Sequence, residues 1–112
     1  IDKQAIAHLL RTLSIYFNEI DNKQLYDLLN GKPVNEKLVF LDNGNKLVDV
    51  FLILKERGTI RENKREIKEW ICANFQYRNN RKAIKDFNEG NVHKILTRQQ
   101  IVKRKIDLPA FY

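Results

Sequence analysis

The segment from Lys46 to Arg57 is apolar around much of the circumference of a helix. Its apolar residues recur at intervals of three and four and then widen into a second row; they are Leu47, Val48, Val50, Phe51, Leu52 and Leu54. A helix with so little polar surface is buried on more than one side. Gly58 ends the pattern, because glycine accepts the left-handed backbone found at many helix ends. Any fold of this chain therefore has to cover that helix.

An N-terminal helical hairpin is predicted over residues 1–31. An apolar stripe that ends at Ile20 predicts a single helix from about Lys3 to Glu19. A shorter helix from Asn22 to Leu29 follows it, and Asn30-Gly31 ends this second helix. Two helices joined by only a few polar residues form a helical hairpin.

Two further elements are predicted in the middle of the chain. The run Lys37–Leu41 is too short for a stable helix and has a β-branched and aromatic centre, so it is predicted to be a strand. Asn63, with Glu66 three positions later, forms the Asx version of a capping box, which marks a helix start. The helix that begins there is predicted to end near Asn74-Phe75.

The last third of the chain is predicted to hold one compact helix. A polar and basic connection covers Gln76–Asp86, and a short strand is predicted over Lys82–Phe87. Asn88 is a suitable cap for a helix from Glu89 to about Arg98. A terminal strand over Lys105–Leu108 is predicted to pair with the first strand.

Together these elements predict one mainly α domain. The chain has 112 residues, which is the length of a single domain. In this prediction the helical hairpin packs beside a winged-helix-like unit, over residues 37–112, that has three helices and a minimal strand pair. Because the chain begins at Ile1 and contains no Met, we expect it to be a piece of a longer protein.

The positive charge of the chain is confined to its second half. Residues 1–60 hold eight Lys/Arg and eight Asp/Glu, whereas residues 61–112 hold thirteen Lys/Arg and six Asp/Glu. The net charge of +7 therefore lies entirely in the second half. Such an imbalance favours a polyanionic partner such as DNA, RNA or an acidic protein surface. The competing interpretation is a basic surface that serves only solubility.

The residues give no support for catalysis or metal binding. The two histidines, His8 and His93, and the single cysteine, Cys72, are too far apart in sequence to give a local metal-ligand spacing. Cys72 also lies in an apolar helical pattern rather than in positive surroundings that would activate a thiol. The four glycines stand singly, so no phosphate-binding loop is present. We expect a non-enzymatic domain without a metal, a cofactor or a small-molecule substrate.

Cysteine content and hydropathy bear on where the protein works. One cysteine cannot form an internal disulfide, which predicts a reducing cytoplasm. The longest apolar stretch, Val48–Leu54, is well below the ~20 residues that a membrane helix needs, so we expect no membrane span.

The last predicted helix carries the candidate base-reading side chains. Its apolar residues are Val92, Ile95 and Leu96. With these three buried, Asn91, Lys94 and Arg98 fall on the exposed side of the helix. Side chains of these types contact base edges and phosphates. Phosphate contacts are predicted from the basic residues on either side of the helix, which are Arg81, Lys82, Lys85, Lys103, Arg104 and Lys105.

The predicted order of elements is close to that of a winged helix. A helix, a short strand, a helix, a connection, a third helix and a basic extended segment follow one another. In that fold the third helix enters the major groove and the wing touches the DNA backbone. The first hypothesis is therefore a regulatory DNA-binding module.

The rival hypothesis is a protein-interaction or oligomerisation domain of a larger protein. Aromatic side chains are the candidate anchors for a partner or a second copy, in the helical hairpin (Tyr16, Phe17 and Tyr26) or in the C-terminal tail (Phe111 and Tyr112). This hypothesis predicts an exposed apolar patch of more than a few hundred Å².

A specific resemblance covers the run from Leu38 to Leu96. Its landmarks are the extended Leu-Val-Phe-Leu, the apolar helix with Gly58 and Ile60, the capped helix ending in Asn74-Phe75, and Asp86-Phe87 before the last helix. This layout resembles the C-terminal winged-helix-like module of conjugative-transposon excision regulators and of related uncharacterised proteins of gut anaerobes. The resemblance implies DNA-associated regulation linked to mobile elements.

Overall fold

The computed structural model describes residues 3–108. Over these residues the chain is mainly helical, with five α-helices and one three-stranded mixed sheet. The elements in chain order are α1 Lys3–Leu13, a 3-10 turn Ser14–Tyr16, α2 Glu19–Leu29, β1 Leu38–Phe40, α3 Gly44–Glu56, α4 Lys64–Asn74, β2 Phe75–Arg78, β3 Ile84–Asp86 and α5 Glu89–Leu96.

Helix α3 is buried on several sides, as the apolar pattern predicted. All six apolar residues of that pattern are at most 2% exposed. The side chain of Asn43 caps the helix by accepting a hydrogen bond from the backbone N–H of Asn45. At the other end Gly58 has φ +76°, the left-handed backbone expected of a glycine stop. Helix α5 and strand β2 pack against α3 and cover it.

The prediction of one long first helix is wrong, because the chain breaks after Leu13. A 3-10 turn follows α1, and Phe17 then has an extended backbone with φ −128° and ψ 156°. That conformation directs the Phe17 ring into the core, where its centroid lies 5.7 Å from that of Phe40 and 6.0 Å from that of Phe75. Aromatic packing from two distant strands therefore overrides the helical pattern.

The break also removes Ile20 from the apolar stripe predicted for the first helix. The second helix begins at Glu19 rather than at Asn22, so Ile20 belongs to a new helix with its own phase. Ile20 is 80% exposed and not part of a buried stripe. The buried face of α2 is formed by Leu25, Leu28 and Leu29, as predicted.

The predicted strand over Lys37–Leu41 is present as β1, but its predicted partner is wrong. β1 pairs in parallel with β2, in the register Leu38↔Phe75, and not with residues 105–108. Strand β2 follows α4 without a connecting loop, so the chain returns beside β1 at once. Residues 105–108 form no strand; Ile106 and Leu108 are buried there, and Arg57 Nη2 donates to the Leu108 carbonyl at 3.0 Å.

The caps of the last two helices match their sequence signals. Asn63 and Glu66 form both hydrogen bonds of a capping box at the start of α4. The Asn88 side chain accepts from the backbone N–H of Asn91 at the start of α5. Helix α5 ends at Leu96, two residues before the predicted Arg98, which has the left-handed φ of +60°. The short helix packs against both α3 and α4.

Candidate nucleic-acid interface

A β-hairpin replaces most of the predicted polar connection between α4 and α5. Strands β2 and β3 pair in antiparallel fashion, with Gln76 opposite Asp86 and Arg78 opposite Ile84. The predicted strand over Lys82–Phe87 is thus present in part, as β3, while β2 was not predicted. Four Lys/Arg and one Asp lie between Phe75 and Phe87, so the β-hairpin is strongly basic.

The tip of the β-hairpin is held by the Asn79 side chain. Asn79 Oδ1 accepts hydrogen bonds from the backbone N–H groups of Arg81 at 3.0 Å and Ala83 at 2.9 Å. The backbone of Asn79 also accepts from Lys82 N and donates to Ala83 O, both at 2.9 Å. Lys82 has φ +62°, which completes the tight turn. Arg81 and Lys82 are exposed on this fixed backbone.

Gly44 sets where the β-hairpin sits on the core. The rings of Tyr77 and Phe87, at the base of the β-hairpin, pack on each other with centroids 5.0 Å apart. A Cβ added to Gly44 would lie 2.7 Å from Phe87 Cε1 and 2.9 Å from Tyr77 Cδ1. Only glycine at the start of α3 leaves room for these two rings, so this contact orients the β-hairpin.

The one carboxylate of the β-hairpin is occupied by other groups. Asp86 Oδ1 accepts from Lys37 Nζ at 3.1 Å and from Gln76 Nε2 at 3.0 Å. The hydrogen bonds from Gln76 and Lys37 hold the pKa of Asp86 below its usual range. Among residues 3–108, no carboxylate lies within 4 Å of the charged groups of Arg81, Lys82 or Lys85.

Helix α5 presents the predicted polar face. Val92, Ile95 and Leu96 are each 1% exposed, which confirms the predicted buried side. Asn91 and Lys94 lie on the exposed side. Both side chains are therefore accessible to a ligand.

Arg98 is occupied by an ion pair with α3. Its Nε donates to Glu56 Oε2 at 3.0 Å, and its Nη2 donates to the same oxygen at 2.6 Å and also contacts Oε1. These hydrogen bonds raise the pKa of the Arg98 guanidinium above its ordinary value. Unlike Asn91 and Lys94, Arg98 therefore already spends its Nε and Nη2 donors on a carboxylate.

A second carboxylate of α3 lies in the same area and is buried. Asp49 is 3% exposed, and its Oδ2 atom has no hydrogen-bond partner. Burial raises the pKa of Asp49, an effect that Lys105 and Arg98 oppose and Glu56 reinforces. Lys105 and Arg98 are therefore close to acidic groups of α3. Lys103 and Arg104 are exposed, and no carboxylate within the described ranges lies within 4 Å of them.

Two of the three aromatic anchors predicted in the helical hairpin pack against the core. Phe17 is 5% exposed, and the Tyr16 ring stacks on Phe40 with centroids 5.3 Å apart. Tyr26 is 48% exposed. Two isoleucines that were not predicted as anchors, Ile15 at 78% and Ile20 at 80%, are the more exposed apolar side chains of the helical hairpin. Phe111 and Tyr112 lie outside the described residues.

Residues 3–108 contain no group of three His, Cys, Asp or Glu side chains that could hold a metal ion. Burial raises the pKa of the half-buried Cys72 thiol, as does the nearby Glu89 carboxylate. This is the reverse of what activates a nucleophilic cysteine. No helix in the same part of the chain is long and apolar enough to cross a bilayer.

No protein-family model, curated protein or solved structure matches this chain. Its function therefore has to be inferred from its own side chains.

Proposed function

We propose that this chain is a non-catalytic module that binds duplex nucleic acid through the β2–β3 hairpin and α5. The observation that carries the proposal is the tip of the β-hairpin. There Arg81 and Lys82 are exposed on a backbone fixed by Asn79, and no carboxylate of the described chain pairs with them. Free cations on a pre-organised loop bind phosphates without the entropy loss of ordering that loop.

The order of elements supports a winged-helix-like arrangement that differs from the sequence-based one. Helix α2, strand β1, helices α3 and α4 and the β-hairpin follow one another as helix, strand, two helices and wing. In this arrangement the β-hairpin takes the place of the wing that the sequence assigned to Lys103, Arg104 and Lys105. Helix α5 then follows the wing instead of preceding it, so its contacts are additional to those of a winged helix. In this arrangement β1 pairs in parallel with β2, the first strand of the β-hairpin.

Within this proposal the predicted contacts fall into two classes. Arg81, Lys82 and Lys85 contact phosphates from the β-hairpin, and Lys103 and Arg104 contact them from the segment after α5. Asn91 and Lys94 are the accessible candidates for base edges. The resemblance to excision regulators supports a regulatory role in a mobile element as the setting of this activity.

The test is the salt dependence of binding to a mixed-sequence DNA duplex. Each phosphate contact lowers the slope of log K against log salt by about 0.9, so replacing two contacts makes the slope shallower by about 2. We expect this change for the double variant Arg81→Gln/Lys82→Gln. The matched control is Lys23→Gln/Lys32→Gln, which removes the same charge from α2 and the segment just after it, where both lysines face Asp27. Absence of binding at low salt, or equal slopes for the two variants, contradicts the proposal.

A protein-interaction role is the second candidate, favoured by Ile15 and Ile20. Both isoleucines are about four-fifths exposed at the turn between α1 and α2. Surface isoleucines that bind a partner or a second copy become protected in the complex. If this is the function, Ile15→Asp/Ile20→Asp abolishes association measured by light scattering while duplex binding is unchanged. A monomeric wild-type chain whose only ligand is the duplex excludes self-association through this surface.

A further inference from the structure

An apolar cleft lies between the helical hairpin and α4, away from the β-hairpin. Its volume is about 490 Å³, within the range of small-molecule sites. The side chains of its walls are mostly apolar; they are Ile6, Leu28, Leu29, Phe51, Ile60, Ile67 and Trp70. These residues come from α1, α2, α3, α4 and the connection before α4, so no local sequence pattern indicates the cleft.

Two aromatic rings form one wall of the cleft. The Trp70 and Phe51 rings pack edge to face, with centroids 5.2 Å apart and an interplanar angle of 76°. Phe51 is fully buried, whereas Trp70 is only half-buried. An aromatic ligand can therefore pack against the accessible surface of Trp70.

The rim of the cleft is rich in hydrogen-bond acceptors. Its polar side chains are Lys3, Asn30, Glu62 and Glu66. The amide nitrogen of Asn30 already donates to the Tyr26 carbonyl, which leaves its oxygen to accept. Glu66 accepts from the backbone N–H of Asn63, and a carboxylate has capacity for further donors. Two carboxylates against one ammonium make this rim acidic, although the chain as a whole is basic.

We propose that the cleft binds a small aromatic amine. Its aryl group packs on Trp70 among the apolar walls, and its ammonium group donates hydrogen bonds to the carboxylates of Glu62 and Glu66. Charge complementarity selects a cation, because two exposed carboxylates and only one ammonium border the apolar walls of the cleft. This site is separate from the nucleic-acid proposal and does not depend on it.

Trp70 is the only tryptophan of the chain and lines the cleft, so its fluorescence reports on the site directly. The probes are phenethylamine and phenylacetate, which share an aryl body and carry opposite charges. We expect a saturable change in Trp70 emission with phenethylamine, and at least about tenfold weaker binding of phenylacetate, the effect of one charge-assisted hydrogen bond. No saturable change, or equal affinity for the two probes, overturns the proposal.

Substitution of the two carboxylates tests where the ammonium group of the ligand binds. Glu62→Gln/Glu66→Gln should weaken phenethylamine binding about tenfold while retaining the capping box, since glutamine also serves at that position. If the double variant does not fold, Glu62→Gln alone carries the test, because this exposed residue lies before the start of α4. Unchanged affinity in a folded variant overturns the proposal. So does Trp70 emission that shifts with protein concentration alone, which would show that a second copy fills the cleft.

Discussion

The tip of the β-hairpin and the segment after α5 carry similar charge but differ in what surrounds it. In the β-hairpin, Arg81 and Lys82 extend from a turn closed by Asn79, and the local Asp86 is bound to Lys37 and Gln76. After α5, Arg98 is bound by Glu56, and Lys105 lies near the buried Asp49. Lys103 and Arg104, between them, are exposed and have no carboxylate of the described residues within 4 Å. Two regions that look alike in the sequence are thus an open source of positive charge and one that is compensated in part.

The comparison shows that the number of cations in a region does not tell how many of them are free to bind a phosphate. A cation that must first leave an intramolecular carboxylate gains less from a phosphate than one that meets only water. For this reason we expect the β-hairpin to contribute most of the affinity for a polyanion. Six of the nine predicted contacts lie on α5 or at or after Arg98, and only the fold reveals how unequal the nine are.

The largest effect is expected from a change that moves the β-hairpin itself. Gly44→Val places a side chain where Phe87 and Tyr77 already lie within 3 Å of a Cβ position. Overpacking of this kind costs about 2–3 kcal/mol and displaces the rings. Thermal unfolding should show the loss, and duplex binding should weaken in the protein that remains folded. Wild-type stability in this variant would contradict the close packing of the β-hairpin on α3.

A direct comparison of the two regions uses two double variants of equal charge. Arg81→Gln/Lys82→Gln removes open cations, and Arg98→Gln/Lys105→Gln removes the two that lie close to the acidic groups of α3. We expect the first to weaken duplex binding by about tenfold or more at moderate salt and the second by only about two- to threefold. Titration of both proteins at the same ionic strength decides the matter. Equal losses would mean that the carboxylates of α3 do not restrain their cations.

The sequence predicted correctly those helices whose ends are capped by residues close by in the sequence. Asn63 with Glu66, and Asn88 before α5, were recognised because a cap satisfies backbone groups within three or four positions. The buried side of α5 was recognised because its helical period is regular. Such features depend on short stretches of chain and on general geometry.

Features that depend on distant residues were missed. Phe17 ends the first helix because its ring contacts Phe40 and Phe75, and no local pattern specifies those partners. Strand β2 is defined by parallel pairing with β1, across the whole of α3 and α4. The ion pair of Arg98 with Glu56 spans 42 positions. Asn79 carried a local signal for the turn of the β-hairpin, because its side chain closes that turn.

The buried Asp49 gives a prediction for pH dependence. Burial raises the pKa of its carboxyl group, so ionising it in the folded state costs free energy that the unfolded state does not lose. This free-energy cost is absent when the pH is below the ordinary pKa of the carboxyl group. It reaches its full size when the pH is above the raised pKa of the folded state. Asp49→Asn should therefore stabilise the protein by about 1 kcal/mol at neutral pH.

The measurement that checks this is the difference in unfolding free energy between Asp49→Asn and wild type as a function of pH. The difference should be near zero in acid and grow as the pH rises. Asp86 provides the control of opposite sign, because its pKa is lowered by Gln76 and Lys37 and its contribution to stability is lost as the pH falls. A stability difference for Asp49→Asn that shrinks with rising pH would mean that Lys105 and Arg98 outweigh burial.

The smallest effect is expected when Glu56 is neutralised, since its pair with Arg98 is solvent-exposed and such pairs contribute little to stability. Glu56→Gln leaves the unfolding midpoint nearly unchanged but releases Arg98 for a phosphate or a base edge. Duplex affinity should rise by about twofold, with a steeper salt dependence, because one more cation becomes available. Asp27→Asn on α2 removes the same charge beside Lys23 and Lys32 and should give a smaller gain. If Glu56→Gln and Asp27→Asn raise duplex affinity equally, net charge alone accounts for the affinity. The cations near α3 are then no different from those of the β-hairpin.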